Sequence, residues 1–298
     1  MRIGILSRNP SLYSTRRLLE AARLCGHQPL LIDTVQLALR LQPGGRFRWS
    51  SWQRLPVVDG LIPRIGSSVT AYGVAVVRKF EQAGTVTTAT ADAIAQSRNK
   101  MRSLHLLQAA GLPTPRTELV TAVAELHPAL AAVGGLPVIV KTLRGTQGRG
   151  VILANKLETV EAICTALANF NLPMLLQEYI AEAEGKDTRL LVVGGRVKAA
   201  MLRTAAVGEF RSNLHQGGTA VAIQPDLLMK QLAVQAAAVH NLGVAGVDII
   251  QARRGPLILE LNSSPGLEGI ETSSGVDVAL AIVRYLEQLH RHQQRARK

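Results

Sequence analysis

The stretch Gly246-Val247-Asp248-Ile249-Ile250-Gln251-Ala252-Arg253-Arg254-Gly255-Pro256-Leu257-Ile258-Leu259-Glu260-Leu261-Asn262 constrains this chain more than any other. Two arms rich in Ile, Val and Leu flank a turn at Arg253–Gly255 marked by a Gly-Pro pair, the pattern of a β-hairpin. With Arg254 at its centre, Asp248 stands opposite Glu260, and side-chain alternation puts Asn262 on the same side as Glu260. The other face then carries Val247, Ile249, Leu257, Leu259 and Leu261, all apolar. Like charges directly across a ladder repel. The two carboxylates therefore read either as a solvated polar face or as oxygen ligands of a hard cation such as Mg²⁺. The hairpin alone leaves both open.

A chain of 298 residues has room for two or three compact units around a large core. Its 47% hydrophobic and 18% charged residues exclude a disordered protein. No apolar run approaches the ~18 residues of a membrane span, and the apolar part of Met1–Arg8 is too short for a signal peptide. Cys25 and Cys164 lie far apart within helical patterns, so a reducing cytoplasm is the simplest location. The net charge of +13 favours an acidic partner, with nucleic acid the first candidate. Aromatics at 3% and well-spread basic residues argue against direct nucleic-acid readout. An acidic peptide or a ribosomal surface stays open. Residues 291–298 read as a frayed basic tail.

Residues 2–6, a helix over 15–25 capped by Ser14 and stopped at Gly26, and Leu30–Ile32 make a βαβ start, hence a parallel, doubly wound first domain. The Gly-x-Gly-x-x-Gly turn of a dinucleotide site is missing. Residues 34–56 are irregular and basic, with Trp49 and Trp52. A strand over 57–62 leads into Pro63-Arg64-Ile65-Gly66-Ser67, a loop position where α/β sheets hold ligands. Arg64 is there to take a carboxylate or to serve as an ordinary surface arginine. Helices are expected over 71–83, 92–97 and 99–110, with a short strand at 85–88. The expected units are 1–100, 101–182 and 183–290, followed by the tail.

Val138–Lys141 and Val151–Leu153 read as strands around Thr142-Leu143-Arg144-Gly145-Thr146-Gln147-Gly148-Arg149-Gly150. Glycines 145, 148 and 150 let the backbone approach a ligand and aim N–H groups at it, which suits a polyphosphate; a plain flexible hairpin loop has the same composition. It is not a P-loop, since no Gly-Lys-Ser/Thr follows. Lys141, at the end of a buried strand, is costly to bury without an anion and tips the reading toward phosphate. Further on come a helix over 157–168, strands at 174–177, 186–193 and 196–202, Arg203, and a loop Glu209–Gly218 holding Arg211 and Asn213. Guanidinium forks there suit phosphate or carboxylate. Helices over 226–242 and 276–289 complete the chain.

In this order, strand-Lys141, the 145–150 loop, Gln177-Glu178-Tyr179-Ile180, Phe210-Arg211-Ser212-Asn213-Leu214-His215, Gly246-Val247-Asp248 and Glu260-Leu261-Asn262-Ser263-Ser264-Pro265-Gly266 resemble the ATP-grasp superfamily. Within it the chain resembles the alpha-L-glutamate ligases of the RimK family, bacterial enzymes that add glutamate to the C-terminus of a small-subunit ribosomal protein. The resemblance thins at 34–56 and after about residue 289; Ser263 stands where alanine is commoner. It implies an α/β protein, α+β in its catalytic part, with an ATP-grasp fold behind an N-terminal doubly wound parallel sheet. It also implies ATP contacts from Lys100, Lys141, Gly145, Thr146, Gln147, Gly148, Gly150, Glu178, Tyr179, Ile180, Asp187, Arg211, Ser212 and Asn213. Asp248, Glu260 and Asn262 would hold Mg²⁺ or Mn²⁺, two ions in all. The family further implies a homo-tetramer and no membrane association.

A carboxylate is a poor electrophile. The expected reaction is therefore phosphorylation of the acceptor's C-terminal glutamate by ATP, then attack by the amine of L-glutamate on the acyl phosphate. Arg203 and Arg211 are the expected catalytic cations, Arg64 and Ser67 the expected substrate contacts, and loop 144–150 the expected lid. Asp248→Ala or Glu260→Ala should abolish most turnover without unfolding the chain. Two other readings fit the residues. One is a ligase making free poly-alpha-glutamate or extending another small peptide; the other is a basic RNA- or ribosome-binding module with a relic nucleotide site.

Overall fold

A computed structural model describes residues 1–39, 57–143, 150–170, 172–214 and 217–297, and the backbone of 48–49. The first unit runs β1 (Arg2–Leu6), α1 (Tyr13–Leu24), β2 (Gln28–Ile32), β3 (Leu37–Ala38), β4 (Arg48–Trp49), β5 (Gly60–Pro63), α2 (Thr70–Gln82), β6 (Val86–Thr87), α3 (Ala91–Arg98) and α4 (Lys100–Ala109). Its main sheet has the order β2-β1-β5-β6, all parallel. Ile3, Ile5 and Ile62 bury against α1, while Leu6 and Leu61 bury against α2. Helices thus cover both faces, as a parallel sheet requires. Ser14 does not cap α1: Leu12 occupies the cap position and makes no side-chain cap bond. The Ser14 hydroxyl instead accepts the backbone N–H of Leu267 at 3.0 Å, a tertiary donor that local sequence could not show.

The second unit comprises β7 (Thr117–Val120), α5 (Leu126–Val133), β8 (Val138–Thr142), β9 (Val151–Ala154), α6 (Leu157–Ala168) and β10 (Met174–Glu178). The sheet order is β7-β10-β8-β9, all antiparallel. Alternation along β8 sends Val138 and Val140 into a core with α5 and α6. Ile139 and Lys141 face the other way, into the cavity described below.

The third unit comprises β11 (Lys186–Val193), β12 (Arg196–Thr204), β13 (Thr219–Ala222), α7 (Leu227–Val239), β14 (Val244–Ala252), β15 (Gly255–Asn262), α8 (Glu268–Ser274) and α9 (Val278–Ala296). The sheet order is β13-β12-β11-β14-β15, antiparallel throughout. One face, with Leu190, Val192, Val247, Ile249, Ile258 and Leu261, packs on α7. The other face is divided. Its apolar half, with Leu191, Val193, Ala199 and Met201, lies with α8 and α9. Its charged half, with Asp187, Arg189, Arg203 and Asp248, lines the cavity. Gly246 sits at the division, where a Cβ would come within 2.9 Å of the Pro265 Cβ.

The basic end is helical rather than frayed: α9 continues to Ala296, and Gln293 and Arg297 donate to the Gly84 carbonyl at 3.2 and 3.3 Å. Among the described residues no helix is long and apolar enough to cross a membrane. α9 belongs to two units at once, since Leu286 fills the space above Gly60, where a Cβ would lie 2.9 Å from its Cδ2. Leu286→Ala is therefore expected to cost about 2–5 kcal/mol in urea unfolding, whereas Arg297→Ala should stay within about 0.5 kcal/mol. A loss below 1 kcal/mol for Leu286→Ala, on the order of a surface change, would contradict this packing.

Candidate active site

The three units close around one cavity of about 850 Å³. Its floor is the charged half of the five-stranded sheet, and the register of that sheet explains the arrangement. Asp187 on β11 pairs with Arg203 on β12, and Arg189, two residues along the same face of β11, pairs with Asp248 on β14. Arg203 donates through Nε and Nη2 to the two Asp187 oxygens at 2.6 Å each, and through Nη2 to Asp248 Oδ2 at 2.9 Å. Arg189 donates through Nε and Nη2 to the two Asp248 oxygens at 2.7 Å each. Ser212 adds a hydroxyl to Asp187 at 2.6 Å. The result is an alternating chain of charges, Asp187–Arg203–Asp248–Arg189. Asp248 is only 2% exposed. Burial pushes its carboxyl up, but Arg189 and Arg203 outweigh that and hold it below the usual carboxylate range. Burial likewise works against the Arg203 charge, and Asp248 and Asp187 more than restore it.

Asp248 does face Glu260, by a route different from the one expected. Ala252 pairs with Gly255, so Arg253 and Arg254 alone form the turn, and Ile249 pairs with Ile258. A register shift between Asp248 and Ile249 then leaves Leu259 as an extra residue. The bulge moves two leucines off the expected apolar face. Leu257 packs with Ile180, Ala183 and Ala252, and Leu259 lines the cavity. Ile258 takes the core position instead.

These residues fit a divalent cation. Glu260 is exposed at the cavity, and Asn262 Nδ2 lies 3.5 Å from Glu260 Oε1. Asp248 Oδ1 accepts one hydrogen bond and keeps a second lone pair. All the donors are oxygens, as a hard ion prefers. Among the described residues no three His, Cys, Asp or Glu side chains converge; the third donor here is an amide. The repulsion that suggested a cation is partly answered already, by Arg189 and Arg203. Removing Asp248 altogether would strand two buried guanidiniums, so Asp248→Ala should cost about 3–5 kcal/mol of stability. Glu260, at the surface of the cavity, is the cleaner site to change.

Opposite the floor, Lys141 lines the cavity and donates to Gln177 Oε1 at 2.6 Å; Lys100, near Lys141 but not among the residues lining the cavity, donates to the Thr142 carbonyl at 2.9 Å. Burial pushes both ammonium groups below their usual pKa, and Glu260 only partly offsets it. Ile139, Val151, Ile180, Met201, Ile250 and Leu259 give the cavity apolar walls. Tyr179, Asp187, Ser212 and Asn213 line the same space. The Glu178 carboxylate is engaged elsewhere. Arg254 at the hairpin turn takes both its oxygens, and Arg116 takes them through its side chain at 3.0 Å and its N–H at 3.2 Å. These bonds, the Arg254 bond first, pull its pKa down to about 2. Glu178 thus ties β10 to the β14–β15 turn, so its carboxylate is engaged there, while Tyr179 and Ile180 line the cavity. Arg211 bonds Glu209 at 2.5 and 2.9 Å and stacks 5.3 Å from the Phe210 ring centre. Arg64 and Ser67 line the first unit's side of the cavity. Gly145, Thr146, Gln147 and Gly148 lie outside the described residues. Gly150 closes the loop at φ +75°, with its carbonyl accepting the Thr142 N–H at 2.9 Å.

Three groups in the site escaped the sequence reading. Arg189 could have been found, because Asp187-Thr188-Arg189 places two charges on one face of an evident strand. Arg98 and the Arg116–Glu178–Arg254 clamp could not, since each depends on distant segments.

A four-stranded antiparallel sheet with a lysine in its cavity face, closing over a five-stranded antiparallel sheet with an acidic edge, is the architecture of the ATP-grasp ligases. Residues 97–286 match the model of the RimK-like ATP-grasp domain, and residues 1–94 match that of the RimK pre-ATP-grasp domain. The chain belongs to this family, and is an ATP-dependent acid–amino-acid ligase by class. It is 49% identical over 287 residues to a probable alpha-L-glutamate ligase of Marinomonas sp. (strain MWYL1), covering 96% of this chain and 95% of that one. It is 46% identical to a protein of the same description from Azotobacter vinelandii (strain DJ / ATCC BAA-1303), covering 98% and 97%. Among solved structures, the ATP-grasp ligase PsnB complexed with minimal precursor superposes with a TM-score of 0.76 at 23% identity, covering 97% and 98%. That likeness shows the fold.

The Glu178 clamp makes a signed prediction. Its folded pKa lies below the ordinary value of 4.5, so its contribution is complete above about pH 4.5 and disappears as the pH falls toward 2. With both arginines half exposed to screening solvent, Glu178→Gln should cost about 1–2 kcal/mol at pH 7. The gap from wild type should narrow steadily below about pH 4.5 in urea unfolding. A gap that does not change with pH would mean that the carboxylate charge plays no part.

Proposed function

We propose that this protein uses ATP and a divalent cation to join the amine of L-glutamate to the C-terminal carboxylate of an acceptor ending in glutamate. The observation that carries this reading is the single row Arg203–Asp187–Arg189–Asp248–Glu260–Asn262 on the cavity floor, facing the desolvated Lys141. Glutamate as substrate is supported by relatives described as probable alpha-L-glutamate ligases over nearly the whole length of this chain. The acceptor we propose is the acidic tail of a small-subunit ribosomal protein, which the net charge of +13 would attract. A cytoplasmic homo-oligomer belongs to the same proposal.

The chemistry needs a leaving group on a carboxylate. Phosphoryl transfer from ATP makes the acceptor's terminal carboxyl an acyl phosphate and releases ADP. Attack by the neutral glutamate amine then forms the amide; inorganic phosphate departs with the former C–O bond electrons, and the proton the amine loses passes to that phosphate or to water. Asp248, Glu260 and Asn262 would hold Mg²⁺ or Mn²⁺, which neutralises phosphate oxygens when bound. Lys141 supplies positive charge from the opposite wall, with Lys100 near it, and partial desolvation strengthens their pull on an anion. Ile180, Met201 and Leu259 exclude water beside the adenine, with the backbone of 178–180 as its hydrogen-bonding edge. Arg203 keeps Asp187 and Asp248 in place, and Arg211, the less buried of the two, is the cation assigned to the oxyanion. Loop 144–150 is the proposed lid.

The test measures ADP release with ATP, Mg²⁺ and glutamate, with and without a peptide ending in glutamate, followed by mass spectrometry of the products. ADP release should require glutamate, and the peptide should gain glutamyl mass. Glu260→Ala should lower turnover by roughly 100-fold while circular dichroism stays unchanged. Glutamate chains formed with no peptide present would assign the free poly-glutamate reaction instead. ATP turnover indifferent to glutamate would overturn the proposal.

A further inference from the structure

One charged pair in the cavity has no part in the nucleotide and cation assignments. Arg64 ends β5, where its N–H donates to the Leu6 carbonyl at 2.9 Å, and its side chain turns into the cavity. Among the described residues its guanidinium has no hydrogen-bond or ion-pair partner. Burial first, and neighbouring Arg98 second, lower its pKa to about 10. Arg98 is the last residue of α3 and also lines the cavity. Its Nη2 donates to the Ile65 carbonyl at 2.5 Å, but its Nε is sealed from solvent with no partner among the described residues. Glu260 acts on Arg98 through charge alone.

Two adjacent, desolvated guanidiniums without a carboxylate are costly. The contrast within one cavity is informative, because Arg189, Arg203 and Arg211 all carry their own carboxylates. The segment between is held rigidly. Gly73 of α2 lies so close to Ile65 that a Cβ there would overlap its side chain, and Arg98 anchors the Ile65 carbonyl. The pair is therefore set before any ligand arrives, at the cost of leaving its donors unmet. Planar forks suit a two-oxygen anion. The pair belongs to the first unit, whereas Lys141 stands on the lid sheet.

We propose that Arg64 and Arg98 form a receptor for the side-chain carboxylate of a glutamyl substrate, with Arg98 a specificity-determining residue for glutamate over glutamine. This rests on the ligase reading above. The same carboxylate is presented by free L-glutamate and by the acceptor's last residue, and the experiment separates them.

Steady-state ADP release is measured for wild type, Arg98→Gln, Arg98→Lys and Arg64→Gln. The varied substrates are L-glutamate, ATP, and acceptor peptides ending in glutamate or in glutamine. Both Gln variants should raise the KM of one glutamyl substrate at least tenfold, lower the glutamate-over-glutamine preference at that position tenfold, and leave the KM for ATP within twofold. Arg98→Lys should recover part of the loss. The substrate whose KM moves identifies the source of the carboxylate. A change confined to the KM for ATP would make the pair a phosphate contact and overturn the proposal, as would unchanged KM values for both glutamyl substrates. Calorimetry with glutarate, an isolated dicarboxylate, tests the pair apart from turnover, on variants whose circular dichroism matches wild type. Binding by wild type that both Gln variants lose supports the receptor even if glutamate-dependent turnover is absent and the ligase reading has failed. No binding by wild type, or equal binding by the variants, overturns it.

Discussion

Asp248 is charged in the interior because Arg189 and Arg203 flank it, and much of the site depends on that arrangement. An isolated carboxylate at 2% exposure would take up a proton. Each partner comes from a neighbouring strand at a fixed register, so the five-stranded sheet itself sets the geometry. The same row extends through Asp187 to Ser212, which brings the loop after β12 to the cavity. A buried ion chain of this kind adds little net stability over apolar packing, since desolvation offsets most of the attraction. Its contribution is to keep an anionic oxygen available, with no reorganisation, where a cation and phosphates would meet.

The three units depend on one another for the site to exist. The first brings Arg64, Ser67 and Arg98, the second brings Lys141 and the 178–180 backbone, and the third brings the floor. They are joined by specific bonds: Ser14 to Leu267, the Arg116–Glu178–Arg254 clamp, and α9 lying against β5. The clamp fixes the end of β10 against the β14–β15 turn.

Much of this was legible in the residues. The periodicity of 157–168 and the apolar run 186–193 marked α6 and β11 to the residue. The pairing of Asp248 with Glu260 was reached by assuming a symmetric hairpin, and it holds because a two-residue turn and a one-residue bulge compensate. The error surfaced in Leu257 and Leu259, whose faces follow the bulge and not the count. Ser14 looked like a cap because hydroxyls often are, yet a distant N–H competed for it. The continuation of α9 was hidden by polar residues whose helical contacts, to Gly84, lie far away in sequence. Arg98 and the Glu178 clamp were invisible for the same reason. Pairings within a strand or hairpin can be counted from sequence, and contacts between units cannot.

The Asp248 carboxylate, held ionised by its two arginines, is proposed to anchor a divalent cation beneath the nucleotide. Mn²⁺ binding followed by electron paramagnetic resonance, with a non-hydrolysable ATP analogue present, tests it directly in wild type and Asp248→Asn. The substitution keeps the side-chain shape and removes the charge. Wild type should bind the ion, and Asp248→Asn should bind it at least tenfold more weakly. Equal affinity in the two proteins would contradict the account.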